Sequence, residues 1–393
     1  MHAFGTLLLI AWSGLGLYVF GRVATVPWVA SRIPRKLFVP LAGILWAGVG
    51  LAQILGHGSG GRLGVACELV GLNALAIFFV LAVPLLAVDL VTGFGLLAGR
   101  KLPPLRGGAL VAGLLLVAVA VVQGLRPPAV REYEVSLPGL PAELDGTTVV
   151  ALSDLHLGSV LGETWLAARV NQVEALRPDL VLFLGDLFEG HGRPAGQFLS
   201  QLRRFSAPLG LYAVTGNHEL YGARGGAGEG VGEAGFTLLH DRWVEVRPGL
   251  VLAGVGDLTA RRGRGKGGDA VRSALAGRPR GGTVLLSHSP LESASAAAAG
   301  VGLMLSGHTH GGQIWPFGYL VRLAYPLFAG RYEVDGMTVI VSRGTGAWGS
   351  RLRLWHPGEI LRVTLRAEKS GFTLPGGTGA STGRSASRST PSR

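Results

Sequence analysis

Four apolar runs open the chain: residues 4–20, 37–55, 69–88 and 109–122, with polar and charged residues gathered between them. No Asp, Glu, Lys or Arg interrupts residues 70–88 or 107–125, 19 residues each. At ~1.5 Å per residue a helix of that length crosses a bilayer. The pattern predicts about four transmembrane helices within a membrane domain at 1–126. Buried core helices are the weaker account, because four such runs follow one another with charges only between them. A cleaved signal peptide fits poorly: the first run has no basic leader, and a second long run follows at once.

The pattern then changes. Pro127 and Pro128 end the last helix, and 127–146 reads as a linker leading into the next domain. From 147 to 369, short apolar runs end in polar clusters and alternate with helical spacing. "TTVVALSDLHLG" (147–158), "LVLFLGD" (180–186), "GLYAVTGNHE" (210–219), "TVLLSHSP" (283–290) and "VGLMLS" (301–306) read as strands. "ETWLAARVNQVEALRPD" (163–179) has amphipathic helical spacing, a helix is also expected over 195–205, and 291–299 is an Ala-rich segment. Such alternation favours a layered α/β domain, with its site beyond the carboxyl ends of the strands. The glycine-rich 223–235 reads as a loop, and the Ser/Gly/Arg-rich tail 370–393 as disordered.

Charge sharpens the division. Of the net +12, residues 1–127 carry +7 and the tail +3, which leaves +2 on 128–369. That balance speaks against a nucleic-acid surface. The basic stretch "RRGRGKGG" (261–268) reads as a solvated loop. Arg22, Arg32, Arg35 and Lys36 in the first connection and Arg100, Lys101 and Arg106 in the third place those loops in the cytoplasm. Both termini, and with them the second domain, are then expected outside the cell membrane. The one cysteine, Cys67, excludes a disulfide framework or a thiolate metal site within the chain.

The candidate chemistry sits at the strand ends: Asp154-x-His156, Gly185-Asp186, Gly216-Asn217-His218-Glu219, His288 and His308-x-His310. Taken alone, "GHTHGGQ" (307–313) is a polar turn whose two histidines point the same way only on extended backbone. Each of the other motifs is equally weak alone. Five of them, each after a strand, assemble carboxylate, imidazole and amide donors suited to Mn, Fe or Zn.

This order of motifs resembles the calcineurin-like metallophosphoesterase superfamily over about 147–366. "GHTHGGQIWPFG" and "VSRGTGAWGSRLRLWHPGEI" (341–360) resemble its membrane-anchored bacterial branch. The resemblance implies a β-sandwich flanked by helices and two divalent metal ions at the strand ends. It assigns Asp154, His156 and His310 to one ion and Asn217, His288 and His308 to the other. Asp186 would bridge them, and His218 would face the substrate as a proton donor. The expected activity is hydrolysis of phosphomonoesters or phosphodiesters, on a lipid or cell-envelope substrate beside the bilayer. A metal-binding membrane sensor with little catalysis and a nuclease on the same fold are the alternatives. His191, five residues after Asp186, is a further candidate for substrate contact; His240 and His356 read as ordinary surface or core residues.

Overall fold

The computed structural model describes residues 2–56, 62–189, 195–221, 227–263 and 269–368. His57, His191, residues 223–226 and 264–268, and the tail read at 370–393 lie outside the described residues.

Each of the four apolar runs falls within a helix: His2–Val23, Arg35–Gly56, Arg62–Val91 and Leu102–Leu125. Three stretches, Arg35–Ala52, Leu63–Val91 and Gly99–Leu125, are long and apolar enough to cross a membrane. Among the described residues the first helix supplies a shorter apolar stretch, Leu9–Val23. Trp12, Val49, Phe78, Leu81, Leu85 and Leu110 pack the four into one bundle. At one end of the bundle Asp89, fully buried, meets Arg22 Nε at 2.5 Å, Arg106 Nη2 at 2.7 Å and the Tyr18 hydroxyl at 2.9 Å. A carboxylate shared by two guanidinium groups fixes the relative height of three helices, since a charge buried without its partner is costly.

Twelve strands follow among the described residues: β1 (Ala129–Leu137), β2 (Thr148–Leu152), β3 (Leu180–Phe183), β4 (Leu211–Ala213), β5 (Thr237–Leu238), β6 (Arg242–Arg247), β7 (Leu250–Gly254), β8 (Gly282–Leu286), β9 (Leu303–Ser306), β10 (Gly330–Val334), β11 (Met337–Val341) and β12 (Glu359–Ala367). They form two mixed sheets, in the orders β1-β12-β2-β3-β4-β5 and β10-β11-β9-β8-β7-β6. Strand β1 lies in the segment read from the sequence as a linker; it pairs in parallel with β12, Ala129 against Glu359.

The sheets pack face to face. Val149 and Ala151 of β2 and Leu180 and Leu182 of β3 meet Leu252, Leu286 and Leu305 from the other sheet. The alternate residues, Val150, Leu152, Val181 and Phe183, face outward beneath the Glu163–Glu174 helix. Leu285, Met304 and Val339 are covered likewise by the Ala270–Leu275 and Ser293–Ala298 helices. With both faces buried, these strands read as unbroken apolar runs rather than as alternation. Strands β2, β3 and β4 are mutually parallel, as are β7, β8 and β9. The loops leaving their carboxyl ends converge on one place.

Candidate metal centre

The strand-end motifs reach that place. His310 Nε2 is 3.3 Å from Asp154 Oδ1 and 3.1 Å from His156 Nε2. On the other side His288 Nε2 is 3.2 Å from Asp186 Oδ2 and 3.2 Å from His308 Nδ1. Asp186 Oδ2 also lies 3.8 Å from His156 Nε2, so one carboxylate adjoins both sets. Asp154, His156 and His310 form one group of converging donor atoms and Asp186, His288 and His308 a second, while His156, Glu189 and His218 form a third beside the first, each within 4.8 Å.

The backbone is bent sharply to achieve this. Asp154, His156, Asp186, His308 and His310 all have positive φ, between 45° and 73°. For residues with a side chain each such conformation costs roughly 1–3 kcal/mol, and it persists only where the surroundings dictate it. The extended backbone on which the two rings of "GHTHGGQ" would point the same way is therefore absent. Strand β9 stops at Ser306, and the two left-handed residues send His308 to the second group and His310 to the first.

A divalent cation fits each of the first two groups, judged by what the donors lack. The Oδ1 of Asn217, a buried residue, has no hydrogen-bond partner. His288 Nδ1 is 2.8 Å from the Leu184 carbonyl, which can only accept. That bond keeps one proton on Nδ1, so Nε2, beside Asp186, is the nitrogen that would be offered to a metal. His308 Nε2 likewise sits 2.8 Å from the Tyr325 hydroxyl, and its Nδ1 faces inward. The donor set is carboxylate, imidazole and amide oxygen, with no thiolate.

Electrostatics point the same way. Burial, then the neighbouring charge of His288, holds His308 down to about 3, so its ring is neutral. Burial would raise the Asp154 and Asp186 carboxyls, but His310 for the first and His288 for the second outweigh it and hold both below the usual carboxylate range. Burial would lower His156, yet the Glu189 carboxylate, 2.7 Å from its Nδ1, lifts it to about 9. The centre thus keeps Asp154 and Asp186 charged and draws in positive charge.

His218 borders the first group. Its ring stands edge-on to His156 at 4.7 Å, its Nδ1 is 3.1 Å from the Glu189 carbonyl, and its backbone N–H donates to Asp186 Oδ1 at 2.9 Å. His240 and His356 stay outside all three groups, as expected. Reading the sequence missed Glu189 and Tyr325 as parts of the centre and gave Glu219 no role of its own. Glu219 Oε2 accepts from the backbone of Gly216 and Asp186, and its Oε1 from Phe188, so it ties two loops together. Its place in "GNHE" was visible, but not its direction; Glu189 and Tyr325 belong to no motif. The "VSRGTGAWGS" segment supports the Asp154 loop from behind: Thr345 N donates to the Ser153 carbonyl and Gly346 N to that of Asp154.

Comparison with known proteins agrees with this geometry. A sequence model described as calcineurin-like phosphoesterase matches residues 147–312. A transmembrane protein with metallophosphoesterase domain from Danio rerio is 36% identical over 65% of this chain and 62% of its own. An uncharacterized metallophosphoesterase of Campylobacter jejuni is 31% identical over 66% of this chain and 69% of its own. One from Aquifex aeolicus is 31% identical over 61% of this chain and 92% of its own. The chain thus spans somewhat less than two thirds of the Danio rerio relative.

Proposed function

The chain belongs to the calcineurin-like metallophosphoesterases, metal-dependent phosphoric ester hydrolases, and from that membership we propose a membrane-anchored enzyme with a dinuclear centre. The observation that carries this reading is the pair of donor groups adjoining Asp186. Asp154, His156 and His310 hold one divalent ion; Asn217, His288 and His308 hold the other; Asp186 serves both. When bound, the ions supply charge neutralisation at the phosphoryl oxygens and a lowered pKa for water.

The chain's own groups do the rest. The Leu184 carbonyl fixes a proton on His288 Nδ1, Tyr325 holds the His308 ring, and Glu189 orients His156. His218 is held at its backbone N–H by Asp186 and at its Nδ1 by the Glu189 carbonyl, and we assign its Nε2 to the substrate. A proton on Nε2 passes to the leaving-group oxygen as the P–O bond breaks. The four apolar helices anchor the enzyme in a cell membrane. Arg32, Arg35, Lys36, Arg100 and Lys101 mark the cytoplasmic side, and the catalytic domain lies on the opposite face.

The His218→Asn variant tests the proton-donor role. Its kcat on an aryl phosphodiester or monoester is expected to fall roughly 10²–10⁴-fold, the usual worth of a positioned acid. Its metal content should match the wild type. Loss of metal together with rate would reassign His218 to support of the ligands; an unchanged rate would remove it from the mechanism.

A further inference from the structure

The catalytic domain meets the helix bundle at a depth that can be read from the chain. Ile314, Leu352 and Leu354 share a buried cluster with Ala76, Val80 and Ala120 of the bundle. Ser350 Oγ bonds Asn73 Oδ1 at 2.9 Å, and the Trp355 backbone N–H donates to Gln123 Oε1 at 2.7 Å. Phe317 meets Phe79 edge-on, ring centroids 6.1 Å apart. Phe79 lies ten residues from Asp89, which closes the uncharged run 70–88. That separation is roughly 15 Å along the helix, about half the hydrocarbon thickness of a bilayer. Phe317 therefore stands level with acyl chains.

Phe317 leads directly into the helix Gly318–Ala324, whose Tyr319, Leu320 and Leu323 are 64%, 60% and 82% exposed. On a surface facing water those side chains would cost hydrophobic free energy with nothing gained. On a surface continuous with the bundle they face lipid. Trp348 and Trp355, also exposed, lie on the segment that touches the bundle, and tryptophan favours the headgroup level. The far end of this helix is Tyr325, bonded to His308 of the metal centre.

We propose that the Gly318–Ala324 helix descends from the bilayer interface toward Phe317, with Leu320 and Leu323 among the acyl chains. The Tyr325–His308 side of the centre then opens at headgroup level, and the substrate is the phosphoester of a membrane lipid. The lipid assignment rests on the phosphoesterase reading and on the proposed membrane anchor; the position of the helix is tested without catalysis.

The experiment uses the full chain in nanodiscs of phosphatidylethanolamine, phosphatidylglycerol and phosphatidic acid. A spin label on Leu323→Cys, in a Cys67→Ser background, should be relaxed more by oxygen than by a water-soluble nickel chelate. The reverse preference overturns the docking. In the same particles Leu320→Glu/Leu323→Glu should cleave soluble p-nitrophenyl esters within about twofold of wild type. Its turnover of bilayer phosphatidic acid or phosphatidylglycerol should fall about tenfold or more, the scale set by losing two buried leucines. Unchanged lipid turnover, or a wild type that cleaves only the soluble esters, overturns the lipid assignment. A wild type inert on all esters defeats the phosphoesterase reading instead, and the spin-label result still decides the docking.

Discussion

Asp186→Asn should lower phosphoester turnover on the order of 10³-fold or more, the equivalent of several kcal/mol of transition-state stabilisation. Asp186 is 2% exposed, and its Oδ2 lies between His288 Nε2 at 3.2 Å and His156 Nε2 at 3.8 Å. An amide there removes the one negative charge adjoining both donor groups. In one orientation it also aims an N–H at nitrogens whose lone pairs face inward. Oδ1 accepts the His218 backbone N–H, and an amide oxygen can keep that bond, so the loop and the fold should survive. Turnover, metal content by plasma mass spectrometry and the melting temperature, measured on one preparation, separate these effects. Wild-type turnover with a full metal complement would show that Asp186 is not shared between two ions.

Gly307→Ala should be nearly as damaging, for a steric reason. A β-carbon at 307 would overlap Ser153 Oγ and fall 2.5 Å from Asp154 Oδ2 and 2.9 Å from Ser153 Cβ. Ser153 and Asp154 are fully buried, and the His308 backbone N–H donates to both Asp154 oxygens at 3.1 Å. Relief requires the end of β9 to move away from the end of β2, carrying His308 and His310 with it. Overpacking of this kind costs roughly 1–3 kcal/mol of stability. A displacement near 1 Å at the reacting groups costs about 10² in rate. Gly307→Ala/Ser153→Gly removes the worst contact and should recover part of both losses. An alanine variant that melts and turns over like the wild type would show that the two strand ends are not held so tightly.

Much of the centre was legible before any coordinates. Asp154, Asp186, Asn217, His288 and His308 each follow a run of buried residues, and the end of such a run is both a pattern boundary and the place where parallel strands deliver their loops. What stayed hidden works across space. Glu189 reaches His156 over 33 positions and Tyr325 reaches His308 over 17, with no spacing rule to announce either contact. The left-handed backbone at His308 and His310 was equally invisible, because non-glycine residues rarely adopt it and only the surrounding bonds impose it. Strand β1 was hidden for another reason. Its alternation "REYEVS" is half exposed, and its partner β12 lies some 230 residues away, so locally it reads as linker. The apolar helices were plain from composition, whereas the Phe79–Phe317 contact that fixes their height against the catalytic domain joins positions 238 apart.

The central claim is a two-ion centre built on Asp186. Chelator-stripped wild-type protein, titrated with Mn(II) while binding and turnover are followed together, tests it most directly. Two ions per chain are expected, with turnover rising as the second binds. Saturation at one ion per chain, or full turnover after the first, would contradict the account.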